Sequence, residues 1–548
     1  MSITIPLAVR LVTSRADRIV TRELRSLRFR SAAPGGFASA SLSLDRPLSL
    51  QPDEIGYFGK LYVYDTRNGR TVWEGRVEDP ARGNGSDGQV WQLVALGPSG
   101  HARDRRVPLI YVDRDMAKWE RADIATPGAT ATLGEDPGTS TKKALILQWP
   151  QGLTVAVNSR AVMRYWQFMY ASQKLARYDY TWDAGITAAN CSVEAVTRTD
   201  GSVGSGEAAR SQTFNVAGGG LLPKVITTDF PSGRNTVEAR IFVSSGGGVL
   251  ADDLHWASFM DLVVLGTRYS KAGAELTAGA DYTTNTVLSS EVVADLLGRL
   301  LPLYDGTNAT VATTSYAIEQ LAYPDGVDAW AVLDDLMRLD AGYYWAAWES
   351  NSAGKYRFEW TAWPTSVRYE ADVTDGFDSP GSADGLYNAV NVRWKDTLGR
   401  VRTNRRTQTV ASLTAAGITR EGLVDLGDDI GTSANADRAG DQWLAERASP
   451  PNAGRLTIAR PIRDLVTGRM AMPWEIAPGQ LVRVRGVLPR IDSLNATARD
   501  GVTIFRIVSV EYDTSSAAAT LELDSYALST ARALATQAQR QPLPVRRR

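Results

Sequence analysis

Catalytic chemistry in this chain would have to be built from very few reactive side chains. Two histidines, His101 and His255, and one cysteine, Cys191, occur in 548 residues. A zinc centre draws on three or four nitrogen or sulfur ligands, so neither a zinc-protease helix nor a cysteine-rich site can be assembled. A Ser–His–Asp triad would need one of the two histidines, yet no Gly-x-Ser-x-Gly elbow stands at a strand–helix junction. His101 lies in the charged run His101-Ala-Arg-Asp-Arg-Arg106 and His255 beside Trp256, both contexts for packing or surface. Cys191 reads as a small buried hydrophobe and can form no intrachain disulfide. Gly201-Ser-Val-Gly-Ser-Gly206 has neither the spacing nor the following helix of a dinucleotide loop, and no Walker loop is present.

Paired carboxylates are the chemistry that composition leaves open. A glycoside hydrolase needs two acids converging on one glycosidic bond. Asp334-Asp335 falls in a helical stretch, where neighbours point ~100° apart and do not converge. Asp428-Asp429 reads as a solvated loop, and Asp252-Asp253 as a turn that could also offer hard oxygens to calcium. The expectation is no enzyme, no metal and no cofactor, with a cell-wall hydrolase as a low-weight third reading.

Two further groups could bind rather than react. Tyr165, Trp166, Trp182 and Trp256 belong to an aromatic set in a stretch of short strands, where rings either stack on sugars or fill a core or interface. Arg393, Lys395, Arg402 and Arg405, with Arg400 and Arg406, form a basic stripe. It could face an acidic partner or DNA, or be a solvated face. A formal net charge of −1 gives no whole-surface pull toward nucleic acid or an anionic membrane.

The elements that carry these residues divide the chain into several parts, as its length requires. Residues 1–113 alternate as β-strands, with Asn68-Gly69 predicting a two-residue hairpin turn. Residues 114–272 hold many short strands and glycine-rich spacers, the pattern of a jelly-roll-like sandwich. Residues 273–376 bring helices over Ser289–Leu301, with Ser289 as N-cap candidate, and over Ala329–Leu339. The hairpin Tyr343–Trp348 and Tyr356–Trp363 follows. Residues 377–530 begin a second β unit near Ala389–Lys395, interrupted by a helix-prone stretch from Thr432 to Ala448. Residues 531–548 form a helix and basic tail. The N-terminal run Ile3 to Leu11 is strand-like rather than a signal peptide, and no apolar stretch approaches the ~20 residues of a membrane span.

Two segments carry a resemblance. One is Leu27–Leu44 followed by Tyr62–Gly75. The other is Trp474-Glu-Ile-Ala-Pro-Gly-Gln-Leu-Val-Arg-Val484, followed by Phe505–Tyr512 and Ala519–Leu523. Together they resemble the paired barrels of phage tail or baseplate hub proteins, the minor tail proteins of actinobacterial siphophages. The resemblance implies a mainly β chain with a small α/β part: two tail-tube-like barrels, an inserted sandwich and a helix-containing connector. It implies a homotrimeric ring in the virion, made in the host cytoplasm, that adapts a sixfold tube to threefold tip components. Its partners would be the distal tail or tail-tube protein, the tape measure protein and tail-tip fibres or spikes. The alternative is a carbohydrate-binding tail protein that meets host cell-surface glycans through the sandwich. At residue level the resemblance expects Val482, Val484, Phe505 and Ile507 inside the second barrel. Arg483 and Arg506 then point out, by the period of two.

Overall fold

The computed structural model describes most of residues 6–113 and 287–525, and the backbone of the strands between 119 and 266. The chain is mainly β with a small helical part. Eighteen strands drawn from residues 7–96, 310–378 and 454–525 share one hydrogen-bonded sheet. Alternation explains the edge regions: Leu7–Val12 buries every second residue, as does Lys60–Asp65, and the two pair antiparallel.

Strands of residues 1–113 and of residues 377–530, the two expected barrel units, pair within one sheet. Leu24–Ala32 pairs antiparallel with Ile504–Asp513, so the early and late strands extend a single ladder, which does not close on itself among the described residues. The side chains follow suit. Trp73 and Trp91, Trp345 and Trp360, and Val482, Phe505 and Leu521 belong to one buried cluster. A sheet face that is apolar on both units is most cheaply covered by joining them.

The connector sits against this sheet. The helices Ser289–Arg299 and Ala329–Leu339 each bury one stripe, Val292, Val293, Leu296 and Leu297 on the first and Val332, Leu333, Leu336 and Met337 on the second. The first is capped at Leu288, whose N–H donates to Glu291, rather than at Ser289. The Ser289 hydroxyl instead bonds Thr314 and Asp340. Asp328 caps the second helix by accepting from the Ala331 N–H at 2.7 Å. The hairpin Tyr343–Ser350 and Tyr356–Ala362 enters the large sheet, and its Ala346 and Ala347 run parallel to Gly35 and Gly36. Gly36 has φ +84°, and a Cβ there would lie 2.0 Å from the Ala347 carbonyl oxygen, so only glycine permits this approach.

Three elements differ from expectation. Ala389–Lys395 is not part of the large sheet, whose last segment begins at Gly454–Ile458. It is the middle of a separate three-stranded sheet between Val401–Thr407 and Glu421–Ile430, covered by the helix Ser433–Ala445. Val390, Val392 and Trp394 pack there with Ala436 and Leu444, so their apolar face is satisfied without the large sheet. Asp428-Asp429 lies in the Glu421–Ile430 strand, not a loop. The Asn68-Gly69 turn is wider than two residues, because Asp65 and Arg70 close it and only Gly69 has positive φ.

Between residues 119 and 266 the strands form a five-stranded sheet, a two-stranded pair and six strands of an eight-stranded sheet. Ile110–Asp113 and Leu321–Ala322, from the flanking sequence, join the larger one.

Candidate functional site

Residues of the two resembling segments meet at a buried joint. Asp65 ends the Lys60–Asp65 strand and is 0 % exposed. Its carboxylate accepts from the Arg67 backbone N–H at 2.9 Å and from the Arg67 guanidinium. It also accepts from the Trp474 indole N–H at 3.1 Å, 409 positions along the sequence. The Arg67 hydrogen bonds, more than any other cause, hold this carboxyl down at about 2. The Arg67 guanidinium also lies 5.2 Å from the centre of the Trp474 ring. Next to this joint, the Phe29 and Tyr512 rings pack at 5.4 Å, and Arg28 pairs with Asp513 at 2.8 Å. Pro478-Gly479 forms the turn before Leu481–Arg485, with Gly479 at φ +81° packed against the Tyr344 hydroxyl.

Val482, Val484, Phe505 and Ile507 are buried and Arg483 is exposed, as the strand period requires. Arg506 is the exception. It is 4 % exposed, with its guanidinium 4.3 Å from the centre of the Trp363 ring, which in turn stacks on Tyr344 at 4.2 Å. Phe505, Arg506 and Ile507 are buried in succession, with Trp363 over Arg506, so alternation no longer sorts inside from outside at this point.

The basic stripe is divided and charge-paired. By cross-strand register Arg393, Lys395 and Arg405 share the open face of the three-stranded sheet, while Arg402 and Arg406 fall on the face of Trp394 and Val390. Arg393 pairs with Asp425, Arg405 with Glu421 at 2.8 Å, and Arg406 with Asp441 at 2.8 Å. The neighbouring strand and helix thus supply the counter-charges.

The remaining candidates are dispersed. Tyr165 and Trp166 lie on Arg160–Trp166 in the five-stranded sheet, whereas Trp182 and Trp256 lie on strands of the eight-stranded one. Cys191 lies on Asn190–Arg198, and Asp252-Asp253 is outside the described residues. His101 is buried edge-on to Tyr304 at 5.2 Å, and burial lowers its pKa. Asp334 accepts from the Trp330 indole at 2.9 Å, with burial pushing its carboxyl up to about 7. Asp335 accepts from the Tyr323 hydroxyl at 2.8 Å. The two acids tie different side chains down and do not face one substrate. Among the described residues no helix is long and apolar enough to cross a membrane.

No family model matches the sequence, and no curated protein matches it. Solved structures do. The tail protein from Neisseria meningitidis is similar over 96 % of this chain and 98 % of its own, at 9 % identity and a TM-score of 0.44. The prophage MuSo2 43 kDa tail protein from Shewanella oneidensis is similar over 95 % and 98 %, at 9 % identity and a TM-score of 0.43. A carbohydrate-binding module in complex with β-1,4-galactotriose is similar over 28 % of this chain and 90 % of its own, at 8 % identity and a TM-score of 0.18.

Proposed function

We propose that this protein is a structural hub at the end of a phage tail, assembled as a homotrimeric ring. The observation that supports the reading most is the union of Leu24–Ala32 with Ile504–Asp513, locked beside it by Asp65 and Trp474. These are the two segments that resemble hub barrels. A ring that transmits force from a tube to a tip must hold its two tube-like units at a fixed angle. Backbone pairing reinforced by a buried ionised carboxylate does this better than a linker.

Three copies would present six similar units to a sixfold tube and a threefold face to tip fibres or spikes. The neighbours in that arrangement are the distal tail or tail-tube protein above and the tape measure protein within. Native mass spectrometry of the full-length protein, alone and with the tube-forming proteins of its virus, tests the stoichiometry. A mass of three copies is expected in the mixture, and monomers under every condition would overturn the ring.

A further inference from the structure

A cleft opens beside the joint, with a volume of about 280 Å³, between the Arg70 turn, the aromatic hairpin and the stretch 474–480. We infer that this cleft binds the free C-terminal carboxylate of a peptide presented by a partner protein.

Hydrogen-bonding capacity in the wall selects this ligand. Every carboxylate in the wall is already engaged. Glu349 accepts from Arg357 at 3.2 Å, and Glu359 accepts from Arg357 and from the Trp348 indole at 3.0 Å. Glu475 accepts from the Met472 N–H at 2.8 Å and lies 3.4 Å from Arg67. The donors are not used up. Arg368 gives its Nε to Asp464, at 3.3 Å, and lies 5.2 Å from the centre of the Tyr369 ring, and among the described residues its two terminal nitrogens make no hydrogen bond. The Arg70 guanidinium is exposed and makes no hydrogen bond or ion pair among the described residues, acting only at a distance on the buried Tyr369 hydroxyl.

A planar guanidinium with spare N–H groups matches a carboxylate better than any neutral group. A sugar would have to use the remaining lone pairs of Glu349, Glu359 and Glu475, whereas a carboxylate uses the guanidinium donors that the wall leaves open. Tyr344, Trp348 and Ile476 form the apolar side, where the stem of the ligand would rest. The volume is at the small end for ligand pockets, enough for one residue or a peptide end rather than a folded element. The cleft lies within a single copy and would bind this ligand whether or not the ring forms.

The test uses the full-length protein and calorimetric titration of N-acetyl-Ala-Ala-Leu, with a free C-terminal carboxylate or as its amide. The acid should bind about tenfold or more tightly than the amide, and more weakly as salt rises. Arg70→Ala and Arg70→Gln should each weaken the acid by about tenfold while leaving the melting temperature unchanged, because Arg70 holds its turn through backbone atoms that both variants keep. Equal binding of acid and amide, no binding at millimolar peptide, or full affinity in both Arg70 variants would overturn the inference. So would tighter binding of galacturonate than of the peptide.

Discussion

Arg506 sits between two core residues, Phe505 and Ile507, and is itself in the core against Trp363. Its stem and guanidinium fill space that an outward arginine would leave to water. Three substitutions separate this packing from simple alternation. Phe505→Ala should cost ~3–5 kcal/mol by opening a cavity. Arg506→Ala should cost ~2 kcal/mol through lost packing and ring contact. Arg483→Ala, on the exposed side, should stay within ~0.5 kcal/mol. Urea melts of the three variants check the order, and a harmless Arg506→Ala would return that strand to a half-exposed wall.

Asp65 gives a pH signature at the same scale. Its folded carboxyl is held at about 2, against 3.8 unfolded. The folded state therefore binds the proton less well, and the stability it contributes is complete above about pH 4 and lost as pH falls toward 2. A shift of that size corresponds to ~2 kcal/mol. Asp65→Asn should remove this loss, flattening the stability profile between pH 4 and pH 2 relative to wild type. Parallel profiles would mean that the carboxylate is not ionised at the joint.

At the scale of elements, much is legible in the sequence and the failures have a common cause. Ala329–Leu339 and Tyr356–Ala362 follow directly from helical and alternating periods, because each buries one face, whereas Tyr343–Ser350 is buried on both faces and reads as a continuous apolar run. Local pattern does not tell which sheet a strand joins. Ala389–Lys395 reads as a large-sheet strand, but its partners lie just downstream, at Val401–Thr407 and Glu421–Ile430. The joint is half visible: Trp474 stands out in its segment, yet nothing local marks Asp65 as its acceptor. Arg506 escapes the pattern because a period of two assumes that one face meets water.

The small sheet carries its own prediction. A Cβ at Gly422 would stand 2.2 Å from the Trp443 ring, on the helix that covers this sheet. Gly422→Ala should push that ring aside and cost ~1–3 kcal/mol. The loss should appear as a weakened near-ultraviolet aromatic signal with the far-ultraviolet spectrum unchanged. An unaltered aromatic signal would mean that Trp443 does not pack over Gly422.

For the whole molecule, the hub reading makes the insert peripheral to assembly. Replacing residues 114–270 by a Gly/Ser linker should preserve the trimer and reduce adsorption to host cells. That replacement leaves Ile110–Asp113 without its partner His255–Gly266, although Leu321–Ala322 still covers its other side. Lys or Glu on that exposed strand should therefore be needed to keep the shortened protein from aggregating. Loss of the trimer with the fold intact would place the insert within the ring.

The most direct measurement is gold labelling of intact virus particles with antibody against this protein, read by electron microscopy. The account predicts label confined to the far end of the tail, at the junction of tube and tip. Label along the tube, on the capsid, or absent from particles that contain the gene product would contradict it.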